Sequence, residues 1–153
     1  MTKLLLSLHV LAAIVAVGPV TVAASMFPPA VRAVPAGGGA DGLGAVRLLH
    51  RVCRVYAGLG IAVPLLGLVT AQVMGVLGDA WLIVSVVLTA VAAGLLLLLV
   101  LPGQEDLLER LAGGQPVERS GTVRLAMGTG LFNLTWAAVT VLVIVRPGST
   151  TGA

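Results

Sequence analysis

The sequence is short of charge, aromatic side chains and cysteine, and each shortage argues against a class of protein. Charged residues make up 10% of the 153 residues and the mean hydropathy is +1.10, whereas soluble domains carry about 25% charged residues. The composition therefore indicates a protein of the lipid bilayer. An aromatic content of 3% leaves few rings to stack on bases, so no nucleic-acid partner is expected. The single cysteine, Cys53, excludes an intrachain disulfide and a paired-thiol redox motif.

The motifs of soluble enzymes are missing as well. The sequence has no glycine loop followed by lysine, no His/Cys cluster at zinc spacing and no acidic residue inside an apolar segment. A serine nucleophile would have only His9 as its base, and no acidic group to orient that imidazole. The sequence therefore favours a non-catalytic protein over an enzyme.

What the sequence does contain is four long apolar segments, at residues 4–25, 52–76, 80–101 and 123–145. Each has roughly 20 residues or more, which is enough to cross a hydrocarbon core about 30 Å thick. None shows the alternation of a membrane strand. We predict an all-α polytopic membrane protein, an antiparallel four-transmembrane-helix bundle that forms a single membrane domain over residues 1–153. The first segment exceeds the core of a secretory signal, so it is expected to remain as a span.

The segments between the spans differ in composition. Residues 26–51 are rich in proline and glycine and are predicted to form a loop that becomes helical near Gly44. The short stretch "GVLGDA" predicts a tight turn between spans two and three. In the third connection, residues 105–112 are predicted to form a short amphipathic helix of their own. Gly18-Pro19 and Pro64 are expected to bend the first two spans.

The basic residues are distributed unevenly between the two sides of the predicted bundle. Seven arginines lie in or beside the first and third connections, and only Lys3 and Arg146 lie on the other side. The seven are Arg32, Arg47, Arg51, Arg54, Arg110, Arg119 and Arg124. This bias predicts cytoplasmic first and third connections and both termini outside. The chain is rich in Ala, Val, Leu, Gly and Arg and poor in Lys. This composition indicates a bacterial protein, and hence the plasma (inner) membrane.

The arginine cluster before span two has two readings. Arg47, Arg51 and Arg54 can anchor the topology by reaching anionic lipid headgroups. They can also seat a phosphate or a propionate group, which the planar guanidinium binds well. The first reading is the expected one.

His9 is a polar side chain in the first apolar segment, where it requires a partner, a cavity or a ligand. Ala12, Ala13 and Ala16 share its helix face, so the ring is predicted to face neighbouring helices. The polar side chains expected at its depth are Thr70, Gln72, Ser85, Thr89, Trp136 and Thr140. His50 is expected near the opposite membrane face, so the two histidines are not predicted to hold one metal or haem together.

The stretch "LLSLHVLAAIVAVGPV", the Arg-rich entry to span two and "GLVTAQ" late in that span together resemble an uncharacterised family of small bacterial four-helix integral membrane proteins. The Leu-His-x-Leu opening is also similar to that of copper-resistance protein D and of the haem-containing membrane protoporphyrinogen oxidase. The resemblance implies that His9 is a haem ligand. Because Val17 stands where those relatives often have an aromatic residue, and no second histidine lies at this depth, it does not imply the enzymatic activity.

The candidate function at this point is binding of haem b or a metal ion through His9, with Met74 or Gln72 as candidate second ligands. The structural alternative is a His9 that hydrogen-bonds Thr89, Thr140 or Gln72. Small-residue faces on span two (Gly67, Ala71, Gly75) and span three (Ala90, Gly94) leave open an accessory or packing subunit, with a homo-oligomer or another membrane protein as partner. A small transporter component is the third alternative, and it is disfavoured because no span has a charged residue in its middle.

Overall fold

The computed structural model describes residues 1–35 and 39–149, and this part of the chain is almost entirely helical without any strand. The elements are α1 (Thr2–Ala33), α2 (Ala40–Gly60), α3 (Ala62–Met74), α4 (Ala80–Leu95), a π-helical segment (Leu96–Val100), α5 (Leu101–Ala112) and α6 (Arg119–Val145). The all-α prediction is confirmed.

These elements form four long rods, because α2 runs into α3 and α4 runs through the π-helical segment into α5. The rods are Thr2–Ala33, Ala40–Met74, Ala80–Ala112 and Arg119–Val145, and each is long and apolar enough to cross a membrane. The prediction of four such helices is confirmed. α1 packs along α2, α3 and α6, while α4 packs along α6 and α5 along α2.

The rods are longer than the predicted spans on the side of the first and third connections. The predicted loop is wrong over residues 26–33 and 40–43, because α1 continues through Pro28-Pro29 to Ala33 and α2 begins at Ala40; the helix predicted from near Gly44 is confirmed. Phe27 on this last part of α1 is fully buried, and that packing outweighs the poor helix propensity of proline. Residues 36–38 of the predicted loop lie outside the described residues.

The amphipathic piece at residues 105–112 is not a separate helix, as the sequence predicted, but the end of the third rod. Pro102 lies in the first turn of α5, where a missing N–H costs little. Directly before it, residues Leu96–Val100 adopt the wider π-helical turn, which relieves the clash of a proline ring with the preceding carbonyls.

The second rod is interrupted where the sequence predicts a bend. α2 ends at Gly60 and α3 begins at Ala62, with Ile61 between them. Pro64 has no N–H to donate to the carbonyl of Gly60, so the regular hydrogen-bond ladder cannot continue here. α1 passes through Pro19 as one helix.

The two ends of the bundle are packed differently. We call the end near residues 33–40 and 112–119 the loop end, and the end near both termini and residues 75–79 the terminal end. The main core lies toward the loop end and comprises Val20, Ala23, Ala24, Phe27, Val31, Val46, Cys53, Ala57, Ala92, Leu96, Val100, Leu107, Leu125 and Phe132. The terminal end has a smaller cluster, Ala71, Val76 and Trp81. There α3 packs on α1 and α4 on α6, while α3 and α4 make few contacts with each other.

Candidate functional site

The imidazole of His9 lies directly against the backbone of α3 at Gly67. A Cβ atom at position 67 would stand 2.9 Å from Cε1 of His9, which is closer than two carbon atoms pack. A side chain at position 67 would therefore force the His9 ring to shift, and the small-residue face predicted on span two leaves the room that the ring occupies. The His9 side chain is half-buried.

The Nδ1 atom of His9 is buried and has no hydrogen-bond partner among residues 1–35 and 39–149. An unpaired polar atom in apolar surroundings carries a free-energy cost that a hydrogen bond or a bound ligand would remove. This atom marks the place at the terminal end where the chain leaves a polar group unsatisfied.

The polar side chains predicted at the depth of His9 do not bond to it. The hydroxyls of four of them donate to carbonyls on their own helices: Thr70 to Leu66, Ser85 to Trp81, Thr89 to Ser85, and Thr140 to Trp136. Gln72 is exposed. Back-bonding of this kind satisfies a hydroxyl within one turn, so it needs no partner on another helix. The hydrogen bond from His9 to Thr89, Thr140 or Gln72 that defined the structural alternative is therefore not formed.

Met74 and Gln72, the two candidate second ligands, lie away from His9. Met74 packs against the small cluster around Trp81, about 10 Å along the helix axis from Gly67 at 1.5 Å per residue. Gln72 projects from another side of α3, since five residues correspond to a rotation of about 140°. The two side chains therefore leave α3 at another level or on another side than the contact at Gly67, and their role as second ligands stays a prediction. In addition, no group of three His, Cys, Asp or Glu side chains that could hold a metal lies in the described part of the chain.

His50, in contrast, lies in a closed hydrogen-bonded group at the loop end. Its Nδ1–H donates to Oε1 of Gln104 over 3.0 Å, and Nε2 of Gln104 donates to Sγ of Cys53 over 3.4 Å. Gln104 and Cys53 are fully buried and His50 is 7% exposed. The ring of Phe27 packs edge-on against His50 with centroids 6.5 Å apart. This buried triad of His50, Gln104 and Cys53 joins α2 to α5 through two hydrogen bonds.

Sequence reasoning missed this triad. His50 and Cys53 are three residues apart and share a helix face, but Gln104 fell in a segment predicted to be a connection. The arginines around them, Arg47, Arg51 and Arg54, are all exposed on the outside of α2. This part of α2 therefore has an outer face with three arginines and an inner face that carries His50 and Cys53.

The two histidines are far apart, as the sequence predicted. His50 packs against Phe27 of α1, and Phe27 is roughly 27 Å further along that helix than His9 at a rise of 1.5 Å per residue. No family model, curated protein or solved structure matches the chain. The assignment of candidate sites accordingly depends on the side chains themselves.

Proposed function

We propose that this chain is a non-catalytic multi-pass membrane protein that holds haem or a metal ion through the imidazole of His9. The observation that carries the proposal is the buried Nδ1 atom, which finds no partner among the described residues. Neutral imidazole is a common axial ligand of haem iron, and an ionisable group within a membrane span favours a functional role; apart from the backbone of Val63, nothing in the described residues interacts with the polar atoms of this ring.

The proposed site has one protein ligand, the half-buried imidazole of His9, and Met74 and Gln72 stay the predicted second ligands. Haem bound here would be held by His9 and would supply an iron centre able to bind a small ligand. Gly67 holds the ring in place, because its lack of a side chain lets the imidazole rest on the α3 backbone.

The test is the visible absorption spectrum of the full chain, purified in detergent and mixed with haem. We expect a Soret shift in the native protein and its loss in His9→Ala. His50→Gln is the control variant, since it keeps a hydrogen-bonding side chain in the triad and leaves His9 untouched. An unchanged haem spectrum with the native chain, or a full Soret shift retained by His9→Ala, would overturn the proposal.

The second candidate is an accessory or packing subunit, and it is favoured by the small-residue face of α4. Ala90 is exposed, and a Cβ at Gly94 would meet nothing within 4 Å. Close-packing faces of this kind join membrane helices. Native mass spectrometry in detergent distinguishes the two candidates. The second function is supported if the protein takes up no haem and forms a dimer, and if Gly94→Ile converts that dimer to a monomer.

The proposed setting is the bacterial plasma membrane with the loop end in the cytoplasm and both termini outside. Its support is the distribution of the basic residues together with the exposure of Arg47, Arg51 and Arg54 on the outside of α2.

A further inference from the structure

A cleft with several polar side chains in a mostly apolar wall separates α1 from α6 toward the loop end, well away from His9. It has a volume of about 290 Å³ and is lined from α1 by Ser25, Pro28, Pro29 and Arg32, and from α6 by Thr129 and Asn133. This combination of hydroxyl, amide and guanidinium groups contrasts with the apolar side chains elsewhere on these two helices.

Two side-chain oxygens in the cleft are buried without partners. Thr129 is 3% exposed, and its Oγ1 makes no hydrogen bond with any described residue. Asn133 donates from Nδ2 to Oγ of Ser25 over 3.2 Å, but its Oδ1 is buried and equally unpartnered in that part of the chain. Thr135 on the same helix shows the usual behaviour, because its hydroxyl donates to the carbonyl of Leu131. Thr129 does not satisfy itself in this way.

The two prolines add main-chain acceptors to the same wall. Pro28 and Pro29 lie inside α1 and have no N–H, so the carbonyls of Ala24 and Ser25 lose the donors that a regular helix would supply. Ala24 and Ser25 both line the cleft. The cleft therefore contains several acceptor oxygens, and a ligand that fits it must carry hydrogen-bond donors.

The charge beside these acceptors is positive. Arg32 lines the cleft and also a neighbouring one of about 570 Å³, where Arg119 is a second basic wall residue. Neither arginine is in an ion pair within residues 1–35 and 39–149. A ligand with an ammonium group would be repelled here, whereas a phosphate would be attracted through charge-assisted hydrogen bonds.

Exposed apolar side chains flank the cleft on both helices, Val22 and Met26 on α1 and Met127 and Leu131 on α6. These four side chains offer a surface for acyl chains. We propose that the cleft binds an anionic phospholipid whose headgroup carries hydroxyls, with its phosphate on Arg32 and its hydroxyls donating to Asn133 Oδ1 and the freed carbonyls. Thr129 donates its own hydroxyl proton to an oxygen of the lipid.

The test compares three lipids on the full chain by native mass spectrometry after detergent purification. Phosphatidylglycerol has the charge and the hydroxyls, phosphatidylmethanol has the charge alone, and phosphatidylcholine has neither a net charge nor hydroxyls. We expect phosphatidylglycerol to be retained about fivefold better than phosphatidylmethanol, the effect of roughly one net hydrogen bond, and phosphatidylcholine least. Equal retention of the first two would overturn the assignment of a hydroxylated headgroup.

Matched variants locate the binding. Thr129→Val removes the hydroxyl with little change of shape and is expected to lower phosphatidylglycerol retention about fivefold, while Thr129→Ser is expected to keep it. Thr135→Val is the control, because that residue is half-buried and lies outside the cleft. Arg32→Gln is expected to weaken both anionic lipids, with Arg124→Gln as its control. Undiminished retention in Thr129→Val and Arg32→Gln would place the lipid elsewhere. Displacement of bound lipid by water-soluble glycerophosphoglycerol would show that the site takes the free headgroup, against the proposal.

Discussion

The two histidines of this chain lie at opposite ends of one bundle and meet their polar requirements in opposite ways. His50 hydrogen-bonds Gln104, which in turn bonds Cys53, and all three are buried. His9 rests on Gly67 with its Nδ1 atom buried and unpartnered among the described residues. Buried polar groups are normally paired, so the imidazole at the terminal end is the one whose setting points to a ligand.

The comparison also distinguishes polar groups that are hydrogen-bonded to other helices from a polar atom that is left without a partner among the described residues. At the loop end the polar side chains of two helices, α2 and α5, hydrogen-bond one another beside the main core, to which Cys53 belongs. At the terminal end the hydroxyls bond to their own helices, so they give His9 no support. A triad whose members hydrogen-bond one another stabilises the fold, whereas the unsatisfied atom lies in the thinly packed terminal end.

The largest expected effect is the loss of the triad's central residue. Gln104→Ala leaves a cavity and two unpaired buried groups, so we expect the free energy of unfolding to fall by roughly 2–5 kcal/mol. Thermal unfolding of the full chain in detergent, followed by circular dichroism, measures it. Gln72→Ala is the control, since Gln72 is exposed, and its melting temperature should match that of the native chain. Similar losses in the two variants would contradict the structural role of the triad.

The second expected effect is a clash at the other end. Gly67→Val places atoms where the His9 ring lies, 2.9 Å from Cε1 for the Cβ alone, and overpacking of this kind costs roughly 1–3 kcal/mol. In Gly67→Val with His9→Ala the clash is absent, so the double variant should regain most of the lost stability. Gly58→Val is the control, because a Cβ at position 58 meets nothing within 4 Å. Additive costs of the two changes would show that His9 and Gly67 are not in contact.

Hydropathy predicts most of the fold, and the errors of that prediction lie at the loop end. Four apolar segments of bilayer length predict four rods because a spanning backbone must satisfy its own hydrogen bonds. The extensions beyond those segments depend on the burial of Phe27 and Leu107 against other helices. The Pro28-Pro29 pair predicted a loop instead, because local helix propensity carries no information on such long-range packing.

The candidate site was predictable in its parts and not in its pairing. The sequence singled out His9 as a polar residue in an apolar run and Gly67 as part of a small-residue face, yet nothing in the spacing linked the two. The unpartnered atoms of Thr129 and Asn133 could not be predicted either, because the sequence does not show which hydroxyls bond back to their own helix.

A smaller effect distinguishes the two histidines directly. His9→Ala removes no hydrogen bond of Nδ1, so we expect a change of less than about 1 kcal/mol in the free energy of unfolding. His50→Ala leaves Gln104 with an unsatisfied oxygen and is expected to cost roughly 1–3 kcal/mol more. Chemical or thermal unfolding in the absence of haem compares them. A greater loss in His9→Ala than in His50→Ala would reverse the assignment of structural and ligand-binding roles.

The smallest expected effect on stability, and a distinct effect on orientation, comes from the arginines outside the triad. Arg47 and Arg51 are exposed, so replacing both by Gln should leave the melting temperature unchanged while removing two of the charges that set the cytoplasmic bias.

Maleimide labelling of intact cells measures orientation with Gln115→Cys at the loop end and Leu77→Cys at the terminal end, because both positions are exposed. The native Cys53 can stay, since it is fully buried. In the native background only the cysteine at position 77 should be labelled from outside; with both arginines replaced, labelling at 115 should appear. External labelling at 115 in the native background would show that the loop end faces outward and that the charge bias does not set the topology of this chain.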